Sequence, residues 1–115
     1  MDLSNTKYNI SIANDAICVI VGVCATSIKG VHSLKGNITS TSIAKTSPAR
    51  LSDSISLKTN DNNVSIHIEL NVKDGYNINE ISKKVQEKVK EQIESMTNFT
   101  VESVSINISD IKVDK

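Results

Sequence analysis

The sequence predicts an α+β domain, in which two helices pack on one face of a mainly antiparallel four-stranded sheet. Two observations predict this class. Apolar residues recur with a helical period in two segments and alternate with polar residues in four others. These segments follow one another in the order strand, helix, strand, strand, helix, strand, which is typical of helices layered on a sheet. A length of 115 residues suits one hydrophobic core, so we take residues 1–115 as a single domain.

The first strand and the first helix are predicted in the N-terminal third of the chain. Residues 8–12 alternate and predict a short strand, after which Asn14 and Asp15 are typical of a helix start. We expect the helix to run to about Ile28, with Gly30 in the left-handed position that ends it. Its core stripe consists of Ala13, Ile17, Ile20, Val21, Cys24 and Ile28.

The middle of the chain has no sustained apolar period. Residues 31–34 form a short apolar return after the helix, and residues 35–54 are rich in serine and threonine. This composition predicts a long mobile loop, in which Ile38 and Ile43 are the places that suit a short extended piece.

The second half begins with a predicted β-hairpin. Ile55 and Leu57 mark one strand, and the turn-forming residues 60–63 precede an uninterrupted alternation from residue 64 to residue 73. One face of that strand is apolar and the other, which carries His67 and Glu69, is polar. The apolar face consists of Val64, Ile66, Ile68, Leu70 and Val72.

A second helix follows the hairpin. Asn77 with Glu80 three residues later resembles a capping box, and Tyr76 is placed to pack on Ile81. We expect Asn98 to end this helix, whose remaining surface is polar or charged. Its apolar stripe consists of Ile78, Ile81, Val85, Val89, Ile93 and Met96.

The last predicted element is a long strand over residues 99–113. The phase of its apolar residues changes between Val101 and Val104. Such a change indicates a β-bulge near Glu102 and Ser103.

The first helix is unusually apolar for a helix on a domain surface. No charged residue occurs from Ala16 to Ala25, yet this run is shorter than the ~20 residues that a membrane span requires. Ala16, Val19 and Val23 lie outside the core stripe, where side chains of such a domain should meet water. Two interpretations remain open: the helix is buried on more than one side within its own domain, or these three residues form an interaction surface for another subunit or partner.

Composition argues against nucleic-acid and lipid partners. The chain has 13 basic and 13 acidic residues, so no basic surplus is present to displace counterions. Only three aromatic residues occur, which is too few for a base-stacking platform. We therefore expect protein partners and no nucleic acid.

Catalytic and metal-binding constellations are also missing from the sequence. His67 and Glu69 share a strand face, but a third and fourth ligand for a structural zinc site are not evident. Cys18 and Cys24 fall within the apolar helix and are interpreted as buried, reduced thiols. His32 is the remaining histidine. We expect no catalytic residue, no metal and no cofactor, and hence no enzyme.

Two stretches resemble the alkaline-shock, or envelope stress response, family of Gram-positive bacteria. The first stretch runs from Ile10-Ser11-Ile12-Ala13 through the helix to Gly30-Val31. The second runs from Val64 through Leu70-Asn71-Val72, Gly75-Tyr76-Asn77-Ile78, Val85-Gln86, Val89-Lys90 and Ser95-Met96-Thr97 to Val101 and Val104-Ser105-Ile106-Asn107-Ile108. Relatives usually carry more charge in their first helix than this chain does.

The resemblance implies a cytoplasmic protein without catalytic residues, held at the membrane in some relatives by a separate anchor protein. The leading hypothesis is therefore a scaffold or interaction protein of the envelope stress type, which self-associates or docks on a membrane-anchor partner. The alternatives are a regulatory accessory protein of lipid or envelope metabolism and, more distantly, a small RNA-binding α+β module.

Overall fold

The computed structural model describes residues 16–113, which form the α+β arrangement that the sequence predicts. Residues 16–26 are helical and are called α1. The strand predicted at residues 8–12 and the helix start at Asn14 and Asp15 lie outside the described residues. The further elements are β1 (Val31–Leu34), a 3₁₀ turn (Ile43–Lys45), α2 (Pro48–Leu51), β2 (Ile55–Asn60), β3 (Asn63–Lys73), α3 (Ile78–Met96) and β4 (Thr100–Lys112).

Strand β3 organises the sheet. On one edge it pairs along its whole length with β4, and on the other edge it pairs first with β2 and then with β1. The two shorter strands meet at Glu69, whose backbone N–H donates to the carbonyl of Ser54 (2.8 Å) and whose carbonyl accepts from the N–H of Lys35 (3.0 Å). The β2–β3 hairpin closes at Asp61, which adopts the left-handed φ of 55° that short polar side chains tolerate in tight turns.

Strand β4 does not run antiparallel to its neighbour in the sheet. The β2–β3 pair is antiparallel, as the predicted hairpin requires, and β1 is also antiparallel to β3, whereas β4 runs parallel to β3. A parallel neighbour requires a crossover connection, and α3 provides it by returning the chain to the end at which β3 began. The register along β4 shifts at Glu102, which confirms the predicted bulge, and shifts again at Ser109.

The core lies between one face of the sheet and the helices α1 and α3. The apolar face of β3 is fully buried, as predicted, and packs with the inner residues of both helices. The buried helix residues are Ile17, Val21, Cys24 and Ala25 of α1 and Ile81, Val85, Val89 and Ile93 of α3. Both helices therefore cover the same sheet face.

Helix α3 starts as the sequence predicts, at Asn77. The Asn77 side chain accepts a hydrogen bond from the backbone N–H of Glu80 at 3.1 Å. The helix ends at Met96, where the Thr97 hydroxyl donates to the carbonyl of Ile93, so the predicted end at Asn98 is slightly late. Ile78 and Met96, the two ends of the predicted stripe, are exposed.

Helix α1 ends at residue 26, slightly earlier than predicted, and the chain turns through Gly30. Gly30 has a φ of 98°, as its predicted left-handed position requires. A Cβ atom there would lie 2.8 Å from side-chain atoms of both Tyr76 and Ile81. The two residues predicted to pack on each other thus both lie against this glycine.

The middle of the chain has more regular structure than the sequence predicts. Residues 31–34 form a strand, because Val31 and Leu34 pair with Val72 and Leu70 of β3. The segment of residues 35–54 contains the 3₁₀ turn and α2 and is therefore not a continuous loop, whereas the isolated bridge between Leu34 and Ile38 confirms the short extended piece expected at Ile38. Its apolar side chains Ile38, Ile43 and Leu51 are buried in the core. Mobility of this segment stays a prediction.

Candidate interaction surface

The inner side of α1 is committed to the core. Gly22 lies on this side, and a Cβ atom placed there would approach the side chains of Ile43 at 3.1 Å, Leu34 at 3.3 Å and Ile55 at 3.4 Å. Glycine therefore allows the helix to lie close to the segment that follows β1. This contact orients α1 and leaves its opposite side away from the core.

The opposite side of α1 carries Ala16, Val19 and Val23, which we call the outer face of α1. All three residues are exposed, and the exposed fractions of Val19 and Val23 are 38% and 49%. Thr26 continues the same row at helical spacing, and its hydroxyl donates to the carbonyl of Gly22 at 2.8 Å. Because that hydroxyl is bonded within the helix, the row presents methyl groups outward.

The segment of residues 35–54 does not cover this outer face. Ile43 of that segment packs beside Gly22 on the inner side of the helix. Val19 and Val23 keep their exposure, so within the described part of the chain α1 is not buried on this side, contrary to the first of the two interpretations of its apolar sequence. Their role in binding another protein stays a prediction.

The polar face of the sheet holds an ordered group around Glu69. Asn107 Nδ2 donates to Glu69 Oε1 at 3.0 Å, and His67 Nε2 lies 3.1 Å from Glu69 Oε2. These hydrogen bonds, first from Asn107 and then from His67, lower the pKa of the Glu69 carboxyl group. Both carboxylate oxygens are thus already engaged. Among residues 16–113, no group of three or more histidine, cysteine, aspartate or glutamate side chains is placed to hold a metal ion.

Asn71 lies on the polar side of β3 but is only 4% exposed. Its Nδ2 atom donates to Ser33 Oγ at 3.0 Å and to the carbonyl of Leu34 at 3.2 Å. Ser33 Oγ lies 2.9 Å from His32 Nδ1. This group joins β1 to β3, so we assign it a structural role.

The two cysteines of α1 differ in their burial. Cys24 is buried, and burial raises the pKa of its thiol, which keeps it protonated. Cys18 is half-buried at the edge of the core. Cys24 therefore lacks the exposure and the lowered thiol pKa of a nucleophile.

The charged side of α3 stabilises β4 as well as facing solvent. Lys90 Nζ lies 2.8 Å from Glu94 Oε2, and the same oxygen accepts the backbone N–H of Val101 at 2.9 Å. These two contacts, with Lys90 as the larger, lower the pKa of the Glu94 carboxyl group. Gln86 Nε2 donates to the carbonyl of Val104 at 2.8 Å. Side chains of α3 therefore satisfy backbone groups of β4.

The fold and its surfaces define a small α+β protein whose first helix presents an uncharged apolar row outward. This chain belongs to the alkaline-shock protein 23 family, described as having a cell envelope-related function, whose family model matches residues 2–113. The predicted resemblance is thereby confirmed.

Two curated relatives cover nearly the whole chain. One is the uncharacterized protein Spy1614 of Streptococcus pyogenes serotype M6, which is 32% identical over 95% of this chain and 93% of its own length. The other is the uncharacterized protein YqhY of Bacillus subtilis, which is 24% identical over 99% of this chain and 85% of its own length. No solved structure matches the chain significantly.

Within residues 16–113, every helix is too short or too polar to cross a membrane. Sequence reasoning missed one surface feature, a cleft formed by residues 37–50. The signal that could have drawn attention to it is the sole arginine of the chain, which lies in this segment.

Proposed function

We propose that this protein is a non-enzymatic interaction protein of the cell envelope, which self-associates through the outer face of α1. The observation that carries the proposal is the exposure of Val19 and Val23 one turn apart on a helix without charge. Contiguous exposed apolar side chains, unlike scattered ones, can mark a protein–protein interaction site. Membership of an envelope-related family supports the setting.

A second copy of this chain is the occupant that suits the outer face best. Ala16, Val19 and Val23 are small and uncharged, so two such faces can approach closely around a two-fold axis. Burying them against each other removes apolar area from water on both sides and leaves no unpaired charge. A face that selected a different partner by charge would carry charged residues of its own.

The proposal includes a location. We propose that this protein acts in the cytoplasm and reaches the membrane through a separate anchor protein. A dimer would then carry two anchor-binding sites. Their high effective concentration would strengthen binding to the anchor protein without any new contact.

Capture of one copy by another tests the proposal. A tagged copy should retain the untagged native chain, whereas the Val19→Lys/Val23→Lys double variant should not be retained, because two lysines cannot be paired within the apolar face. Circular dichroism should show that the double variant is folded, since both positions are exposed.

A matched control introduces two lysines at exposed apolar positions outside α1. Met96 and Ile111 are exposed apolar residues on α3 and β4, and their double lysine variant should be retained like the native chain. Retention of the Val19→Lys/Val23→Lys variant, or equal loss in the control, would overturn the proposal.

A further inference from the structure

The segment between β1 and β2 forms an open cleft of about 460 Å³. This volume lies within the range of small-molecule sites, which is roughly 300–1,000 Å³. Two cationic side chains line the cleft, and no carboxylate is among its lining residues. The lining residues are Asn37, Ile38, Ser42, Lys45, Thr46, Ser47 and Arg50.

The backbone around the cleft is held in place from both sides. Ile43 and Leu51 anchor the 3₁₀ turn and α2 in the core. Within the segment, Ser42 Oγ accepts from the backbone N–H of Thr39 at 2.9 Å, and Thr46 Oγ1 donates to the carbonyl of Ser42 at 2.8 Å. Hydroxyl groups thus stabilise the turn that carries the charged residues.

The two cations of the cleft lack acidic partners in the described part of the chain. Neither Lys45 nor Arg50 takes part in an ion pair there. Arg50 Nη2 donates to the carbonyl of Gly36 at 3.3 Å, which positions the guanidinium group and uses one of its five N–H donors. Arg50 is also the only arginine of a chain whose net charge is zero, so this concentration of positive charge is local.

A hydroxyl donor completes the arrangement. Ser47 Oγ accepts the backbone N–H of Arg50 at 3.3 Å, which leaves its hydroxyl hydrogen available to a ligand. A guanidinium fork, an ammonium group and a hydroxyl are the donors that bind a phosphate group in proteins, with arginine giving the paired geometry.

We propose that the cleft binds a phosphate-type anion through Arg50, Lys45 and Ser47. The same chemistry is offered by a soluble phosphate or phosphomonoester and by the phosphate of a lipid headgroup. The cleft is separate from the outer face of α1, so this site and the self-association proposed above stand or fall independently.

Titration of the ¹⁵N-labelled protein with inorganic phosphate at constant ionic strength tests the site. The backbone amide signals of residues 37–50 should shift and saturate, and chloride at the same ionic strength should not reproduce the effect. In the Lys45→Gln/Arg50→Gln variant we expect the phosphate affinity to fall by about tenfold or more. A variant with two matching charge losses on α3, Lys83→Gln/Lys84→Gln, should bind like the native chain.

If the double variant does not fold, the single variants Lys45→Gln and Arg50→Gln replace it in the titration. Both positions are exposed, so each single variant should fold. Shifts that stay linear in the native chain, or equal affinity of the native chain and the cleft variants, would overturn the proposal. Flotation with vesicles of phosphatidic acid in phosphatidylcholine then separates the two sources. If the protein floats with the vesicles and flotation requires Lys45 and Arg50, the ligand is a lipid headgroup. If phosphate binding saturates but the protein does not float, the ligand is a soluble anion.

Discussion

Asn71 shows how one residue can depart from the pattern of its strand. Its place in the alternation of β3 predicts contact with water, but its side chain is only 4% exposed and lies beside the neighbouring strand β1. A buried amide needs partners, and Ser33 and the carbonyl of Leu34 supply them. The residue therefore ties the shortest strand of the sheet to its longest one.

Replacing Asn71 should be costly for this reason. We expect Asn71→Ala to lower the free energy of unfolding by about 1–3 kcal/mol, because it leaves Ser33 Oγ and the Leu34 carbonyl buried without their donor. Asn98→Ala, at an exposed position, should cost less than about 0.5 kcal/mol. Urea denaturation of both variants checks the difference, and equal costs would contradict the role assigned to Asn71.

Glu69 should make stability depend on pH. The pKa of its carboxyl group is lowered from the ordinary value of 4.5 in the folded state. The ionised carboxylate therefore stabilises the folded state fully above pH 4.5, and this stabilisation is lost as the pH falls through the folded-state pKa. The native protein should have a higher free energy of unfolding than the Glu69→Gln variant. This difference should be larger near pH 6 than near pH 3, by up to about 1 kcal/mol. Urea denaturation at the two pH values measures it. A larger difference at the lower pH would contradict the assignment.

At the scale of elements, strong periodicity predicted structure well and weak periodicity did not. The cap at Asn77, the interior of the α3 stripe and the β2–β3 hairpin follow from patterns sustained over many residues. Strand β1 was missed because four residues are too few to show alternation. The 3₁₀ turn and α2 within residues 35–54 were not predicted, because Ile38, Ile43 and Leu51 follow no common period, although each is buried.

Helix α3 should depend on the interior of its stripe. Val89 and Ile93 are fully buried, so Val89→Ala or Ile93→Ala should lower the free energy of unfolding by about 1–4 kcal/mol through lost packing and the cavity left behind. Lys84→Ala, on the exposed side, should cost less than about 0.5 kcal/mol. Urea denaturation that ranked Lys84→Ala above the other two would show that the helix faces the sheet differently.

The segment between β1 and β2 should be the first place that trypsin cuts. Lys35, Lys45 and Arg50 are exposed in short or irregular structure, whereas the lysines of α3 lie in a long helix. Removing an anchor with Ile43→Ala should accelerate cleavage at these sites, and Ala44→Gly at the neighbouring exposed position should have a much smaller effect. Mass spectrometry of the early fragments identifies the sites, and first cuts within α3 would refute the prediction.

For the whole molecule, the sequence predicted the fold class and the family but not the direction of every strand in the sheet. Alternation in residues 99–113 cannot distinguish a parallel from an antiparallel neighbour, and β4 proved parallel to β3. The residues of the outer face of α1 were identified from the missing charge in residues 16–25, and the structure shows that they are exposed. The cleft was not predicted, because its cations and hydroxyls become neighbours only once the segment folds.

The central claim is that the outer face of α1 joins two copies of this chain. Sedimentation equilibrium over a wide range of protein concentrations tests it most directly. The native chain should pass from the monomer mass to the dimer mass as concentration rises, and the Val19→Lys/Val23→Lys variant should keep the monomer mass throughout. A native chain that stays monomeric at every concentration, or a variant that dimerises as the native chain does, would contradict the claim.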